Sequence, residues 1–190
     1  MSREEAYEQA AACYRRAGYE LDAARCYRLA GAHRRAAEIY QSIGALAEAA
    51  AAFDDAGLPD LGAWLLAERA GLPVEARSMI DRSDAERGLR YRLIVTRCEI
   101  AEGAPEDSIR PVIADVCAAL ADRAVRADPV IEEWAVALSE AAARYDQAAL
   151  VFAAAVRGGR YGAAQRWNVW STRVLDTEVV LPPAAMAVTP

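Results

Sequence analysis

The side chains able to do covalent or metal chemistry are few. His33 is the single histidine, and Cys13, Cys26, Cys98 and Cys117 are the only cysteines. A Cys–His nucleophile needs a thiol beside the imidazole that takes its proton. Cys13 and Cys26, however, recur at the same place in successive copies of a short repeat, which is the behaviour of a packing residue. His33 follows Gly31 in a turn and is expected at the surface. One histidine cannot furnish an HExxH zinc site, and no CxxC pair is present. Gly158-Gly159 has neither the preceding strand nor the lysine of a phosphate-binding loop. The carboxylates are scattered over polar faces. The expectation is a protein without a catalytic site, resident metal or cofactor, whose cysteines are reduced thiols.

The arginines are the remaining candidates for recognition. All 22 basic residues are arginine, with no lysine. A guanidinium is planar and bidentate, suited to carboxylate or phosphate. Arg15, Arg16, Arg25, Arg28, Arg34 and Arg35 fall within 21 residues, and repeat equivalence of Arg15 and Arg28 makes a basic ridge conceivable. Arg157, Arg160, Arg166 and Arg173 form a second group with Tyr161, Trp167 and Trp170. The plainest reading of both is a solvated helix face with local ion pairs; an acidic protein partner is next, phosphate or nucleic acid after it. A net charge of −6 and a pI near 5.0 argue against non-specific nucleic-acid binding by the chain as a whole. Trp64 stands on an otherwise largely polar line, so it lies under a neighbouring helix or in an exposed patch. The candidate partner-binding residues are therefore Arg15, Arg16, Arg28, Arg34, Arg35, Trp64, Arg157, Arg160 and Trp170.

The elements that position these residues are repeats. Residues 10–18 read AAACYRRAG, 23–31 AARCYRLAG, 36–44 AAEIYQSIG and 49–57 AAAAFDDAG, a period of thirteen. A degenerate fifth copy, GAWLLAERAG at 62–71, is one residue longer. In each copy a stripe such as Ala23, Cys26, Tyr27 and Ala30 recurs at i, i+3, i+4 and i+7, one face of a helix. Arg15, Arg28, Gln41 and Asp54 fall opposite. Gly18, Gly31, Gly44 and Gly57 stand where a helix closes in the left-handed conformation. Each unit is one short helix, and two make a hairpin of about 26 residues. The alanine pairs permit close backbone approach, and the rings at Tyr14, Tyr27, Tyr40 and Phe53 are expected to pack beside them in the core.

This alternation of small residues and aromatics on short antiparallel helices resembles the tetratricopeptide-like family of helical-hairpin repeats. The likeness covers residues 4–80 and, more faintly, 146–176. The unit differs from that family's ~34 residues, and the proline near its end is missing from most copies. The resemblance implies an α-solenoid, a right-handed superhelical stack with a concave or edge surface for protein segments. It assigns no ligand-contacting positions. The arginine-rich, alanine-rich style, which also reads as codon pressure in a GC-rich bacterium, is similar to helical-repeat components of multi-gene bacterial conflict systems.

Beyond Pro73 the repeat decays. Ser83-Asp84-Ala85-Glu86 reads as a capping box opening a helix to about Glu102. Gly103-Ala104-Pro105 breaks it. Ile109, Val112, Ile113, Val116, Cys117 and Leu120 share the next helical face. Asp128-Pro129 begins another helix, which runs towards Tyr145. Ala148-Ala149 with Val151-Phe152, and Ala163-Ala164 with Trp167, return to the early pattern. The expected organisation is regular repeats over 1–80, less regular repeats continuing the array over 81–176, and a tail over 177–190. Thr177–Leu181 is extended and docks on this body or a partner, and the rest of the tail is mobile. With no signal peptide and no membrane-length apolar run, the sequence predicts an all-α, cytoplasmic adaptor or scaffold in a bacterial multiprotein complex. The alternatives are a nucleic-acid-binding regulator and a homo-oligomeric subunit joined through its end helix or tail.

Overall fold

The computed structural model of the chain describes residues 1–83, 87–124, 128–177 and 179–181. These residues are all-α, with no strand among them and no helix long and apolar enough to cross a membrane. Two compact units divide the chain: Met1–Arg87 with Arg97–Glu102, and Gly88–Thr96 with Gly103–Pro190.

In the first unit α1 (Arg3–Arg16), α2 (Glu20–Leu29), α3 (His33–Ser42), α4 (Leu46–Asp55) and α5 (Pro59–Leu65) follow the repeat, and each packs on the next. The closing turn is identical in four copies. Gly18, Gly31, Gly44 and Gly57 have φ between +72° and +80°. Their N–H groups reach Arg15, Arg28, Gln41 and Asp54, while the next residue's N–H reaches the carbonyl of Tyr14, Tyr27, Tyr40 or Phe53 at 2.9–3.0 Å. That is a Schellman closure whose acceptor is always the ring residue. Ala23, Ala24, Ala36, Ala37 and Ala49 are fully buried beside Tyr27, Tyr40 and Phe53.

The first copy departs from the expectation. Tyr14 is 41% exposed and Cys13 is exposed, because α1 has a helical neighbour on the α2 side only. Ile43, assigned to the stripe of the third copy, is also 41% exposed, since it caps α3 rather than lying within it.

The extra residue of the fifth copy has a structural counterpart. Leu66–Ala70 forms a π-helical turn continuing α5, the usual way a helix absorbs one inserted residue. Gly62, which takes the place of Ala49 and its equivalents, marks a tighter approach to α4: a Cβ there would lie 2.7 Å from the Ala50 carbonyl oxygen. Past Pro73 the next helix packs on α5. Pro73 opens α6 (Pro73–Arg82), which buries Ala76, Met79 and Ile80. Residues 84–86 of the expected capping box lie outside the described residues.

Helix α7 (Leu89–Ala101) contributes residues 89–96 to the second unit and 97–101 to the first. The second unit continues with a 3₁₀ turn (Glu106–Ile109), α8 (Arg110–Ala121), α9 (Pro129–Ala141), α10 (Tyr145–Arg157) and α11 (Ala163–Leu175). Here α10 is central, packing on α8, α9 and α11. Asp128 caps α9 by accepting from the Val130 N–H at 3.1 Å, with Pro129 in the first turn. Gly158 ends α10 with φ −70°, so its role is space: an added Cβ would fall 1.9 Å from the Leu120 carbonyl oxygen at the end of α8. After α11 the chain reverses at Asp176 (φ 54°), and the Trp167 indole donates to the Val179 carbonyl at 2.5 Å. The segment beginning the tail thus docks on its own chain.

Candidate partner-binding surfaces

The first arginine group is exposed, and carboxylates accompany most of it. Arg28 on α2 meets Asp55 at the end of α4 through Nε at 3.0 Å and Nη2 at 2.9 Å. Arg35 on α3 lies 3.8 Å from Glu8 on α1, and Arg15 lies 4.0 Å from Glu20. Arg34 pairs with Glu38 at 3.2 Å within α3, and the Arg16 guanidinium donates to Cys13 Sγ at 3.3 Å. The Arg28–Asp55 and Glu8–Arg35 pairs each span 27 residues, two repeat periods plus one. They tie α1 to α3 and α2 to α4. Exposed pairs of this kind stabilise by about 0–1 kcal/mol each. The ridge is thus interleaved with acids. His33 sits at the start of α3, half-buried, its Nδ1 4.0 Å from Asp55 Oδ2, and not in an open turn.

The second group frames a cleft of about 710 Å³ in the second unit. One wall is α9, which presents Pro129, Glu132, Glu133, Val136, Ala137 and Glu140 at i, i+3, i+4, i+7, i+8 and i+11, a single helical face. The opposite wall carries Arg166 and Arg173 of α11 and the turn residues Arg160 and Tyr161, with Leu120 and Phe152 also lining it. Two ion pairs join the walls. Arg166 grips buried Glu132 in bidentate fashion at 2.8 Å through both Nε and Nη2, which raises the Arg166 pKa above its ordinary value. Arg173 donates to Glu140 at 2.7 Å. Arg160 is spent differently. Its guanidinium donates to the carbonyls of Leu120 (3.0 Å), Ala119 (3.3 Å) and Asp122 (2.6 Å), closing the C-terminal end of α8. At the mouth, Tyr161 is 98% exposed.

The structure places three of the candidate residues in packing or capping positions. Trp64 is buried, 9% exposed, so of its two alternatives the covered one holds. Trp170 is also buried: it stacks on Trp167 at 5.3 Å, packs against Phe152 and Tyr145, and donates its indole N–H to Glu140 at 2.6 Å. Arg160 is a helix-capping group. Arg157, half-buried, accepts at its carbonyl from Arg123 Nε at 3.1 Å. Glu132, Ala137 and Glu140 were not singled out in the sequence, and Val136 only as an apolar residue of its helix. Their signal was present as the face periodicity of α9, an apolar centre between glutamates.

The thiols divide by burial. Burial pushes Cys98 and Cys117 up to about 11, Arg77 opposing this most at Cys98 and Arg157 at Cys117. Neither is a thiolate near neutral pH. In a separate surface network Arg144 lies between Asp107 and Asp146, and its hydrogen bonds hold Asp146 down at about 2. Among the described residues no cluster of three or more His, Cys, Asp or Glu side chains is placed to hold a metal ion.

Comparison with known protein families, curated proteins and solved structures gives no match.

Proposed function

We propose that the protein is a non-catalytic helical-repeat adaptor that binds a segment of another protein, and that the cleft between α9 and α11 is its docking site. The observation that carries this reading is the composition of the cleft. An apolar strip of Leu120, Val136, Ala137 and Phe152 lies inside a frame of paired charges, with a nearly free tyrosine at the mouth. Protein interfaces have this anatomy, a desolvated apolar centre within a polar rim, and tyrosine is enriched among their dominant contacts. The stacked helices of the first unit, with ion pairs two units apart, support a solenoid of the tetratricopeptide-like kind.

The test is affinity purification of the tagged chain from its native host at moderate and high salt, with mass spectrometry and nucleic-acid quantification. Tyr161→Ala and Ala137→Arg run beside the wild type; the first removes the rim contact and the second fills the strip. A stoichiometric protein that survives high salt and is weakened at least tenfold by each variant, about 1.4 kcal/mol or more, supports the reading. A partner held equally by both variants removes the cleft from it. Recovery of nucleic acid alone, lost at high salt, replaces the adaptor with a polyanion binder.

A further inference from the structure

The charged groups that line the cleft between α9 and α11 are answered within the chain, with one exception. Asp128 pairs with Arg90 and caps α9, Glu132 is held by Arg166, and Glu140 accepts from Arg173 and from the Trp170 indole. Arg160 is surrounded by carbonyls at the end of α8. Glu133 alone among these groups has no hydrogen bond or ion pair with the described residues. It is exposed on the face of α9 that lines the cleft.

An open aromatic ring stands at the same end. The Arg166 guanidinium that holds Glu132 at 2.8 Å also donates to the Tyr161 carbonyl at 2.7 Å. Tyr161 therefore enters the cleft beside the turn of α9 that carries Glu132 and Glu133, and Glu140 lies about two turns further on. The Tyr161 side chain is 98% exposed. Val136 and Ala137 follow Glu133 at i+3 and i+4, about one turn along the same face.

We infer that the segment docked in the cleft is basic beside its apolar anchor: an arginine or lysine of the partner sits between Glu133 and Tyr161, one turn from an apolar side chain seated against Val136 and Ala137. This rests on the reading of the cleft as the docking site and adds the chemistry of its occupant. A cation there gains a carboxylate partner and the face of an aromatic ring, whose quadrupole attracts positive charge. The pairing of charges also fixes the register of the segment on α9. An acidic segment has no such place. It would meet Glu133 unneutralised, while Arg173 already answers Glu140. Arg166 could turn to it only by releasing Glu132, a buried carboxylate that is costly to leave unpaired.

A phage-displayed library of random linear peptides, panned on the full chain and counter-selected on Ala137→Arg, tests this. The surviving peptides are expected to carry an arginine or lysine within about four residues, one helical turn, of a leucine, isoleucine or aromatic side chain, in excess of the starting library. Panning on Glu133→Arg should shift that excess to aspartate and glutamate. For one selected peptide in fluorescence anisotropy, Glu133→Gln should raise the dissociation constant about threefold and Glu133→Arg about tenfold or more, as removal and reversal of one rim charge do. Tyr161→Phe should bind as the wild type does, since the ring and not the hydroxyl makes the contact. Circular dichroism should be the same for each variant, because Glu133 and Tyr161 are exposed. Peptides that depend on Ala137 but show no basic excess, or that ignore Glu133→Arg, overturn the inference and leave the docking site standing. A library that yields no peptide sensitive to Ala137→Arg overturns the docking site and the inference together.

Discussion

Tyr14 and Tyr27 occupy the same position in consecutive copies of one repeat, yet one is 41% exposed and the other 7%. A pattern of residue types fixes which face of a helix is apolar; it does not say whether anything lies against that face. Tyr27 belongs to α2, which packs on both α1 and α3, while Tyr14 belongs to α1, which packs on α2. Tyr27→Ala is therefore expected to cost about 3–5 kcal/mol, the range for removing a buried ring. Tyr14→Ala should cost under about 1 kcal/mol, as a partly exposed truncation. Urea unfolding at low protein concentration, where self-association plays no part, measures both. Equal costs would overturn the burial assignment. The same limit governs the tryptophans and arginines. The sequence placed Trp170 near the second arginine group, but its stacking on Trp167 depends on how α10 and α11 pack, which is set by long-range contacts. Arg160 reads as a recognition candidate in the sequence because nothing local announces that three carbonyls at the end of α8 will surround it.

Elements were legible where punctuation was strong. The glycine closures of α1–α4, the Asp128-Pro129 start of α9 and the Gly158-Gly159 end of α10 all follow from local backbone chemistry. The pattern was harder to read where a residue stands in for the expected one. At the end of α9 the left-handed position is held by Ala143 at φ 53°, so no glycine marks the stop before α10. Ala143→Gly should relieve that strain and stabilise the chain by about 0.5–1 kcal/mol. Gly62 is the reverse case. Within a helix, Gly→Ala ordinarily gains about 1 kcal/mol of propensity. At Gly62 the new methyl would meet the Ala50 carbonyl oxygen at 2.7 Å and Met79 Sδ at 2.9 Å. Overpacking of about 1–3 kcal/mol outweighs the propensity gain, so Gly62→Ala should be destabilising. Thermal melts of the two variants should therefore shift in opposite directions, upward for Ala143→Gly and downward for Gly62→Ala. An upward shift for Gly62→Ala would mean that α4 and α5 are farther apart than described.

For the molecule as a whole the charge balance decides between kinds of partner. The chain carries 28 carboxylates against 22 arginines. Four of the seven candidate arginines stand beside carboxylates, Arg28 with Asp55, Arg34 with Glu38, Arg35 near Glu8 and Arg15 near Glu20, and Arg160 is held by carbonyls at the end of α8. A polyanion gains affinity by releasing counterions at unneutralised cations, and an arginine already beside a carboxylate contributes little of that gain. Binding DNA would also bring its phosphates against the surplus acids. Fluorescence anisotropy with a labelled duplex is accordingly expected to show no binding tighter than about 100 μM at physiological salt, the weak edge of non-specific affinity. At low salt any residual binding should have a shallow salt slope, because few phosphates can be neutralised. Micromolar binding with a steep slope would mean that the ion pairs open in favour of phosphate. The basic ridge would then displace the cleft as the functional surface. A flat titration leaves the cleft between α9 and α11 as the proposed docking surface. A partner seated against the apolar floor of that cleft should respond to salt far less than a phosphate contact does.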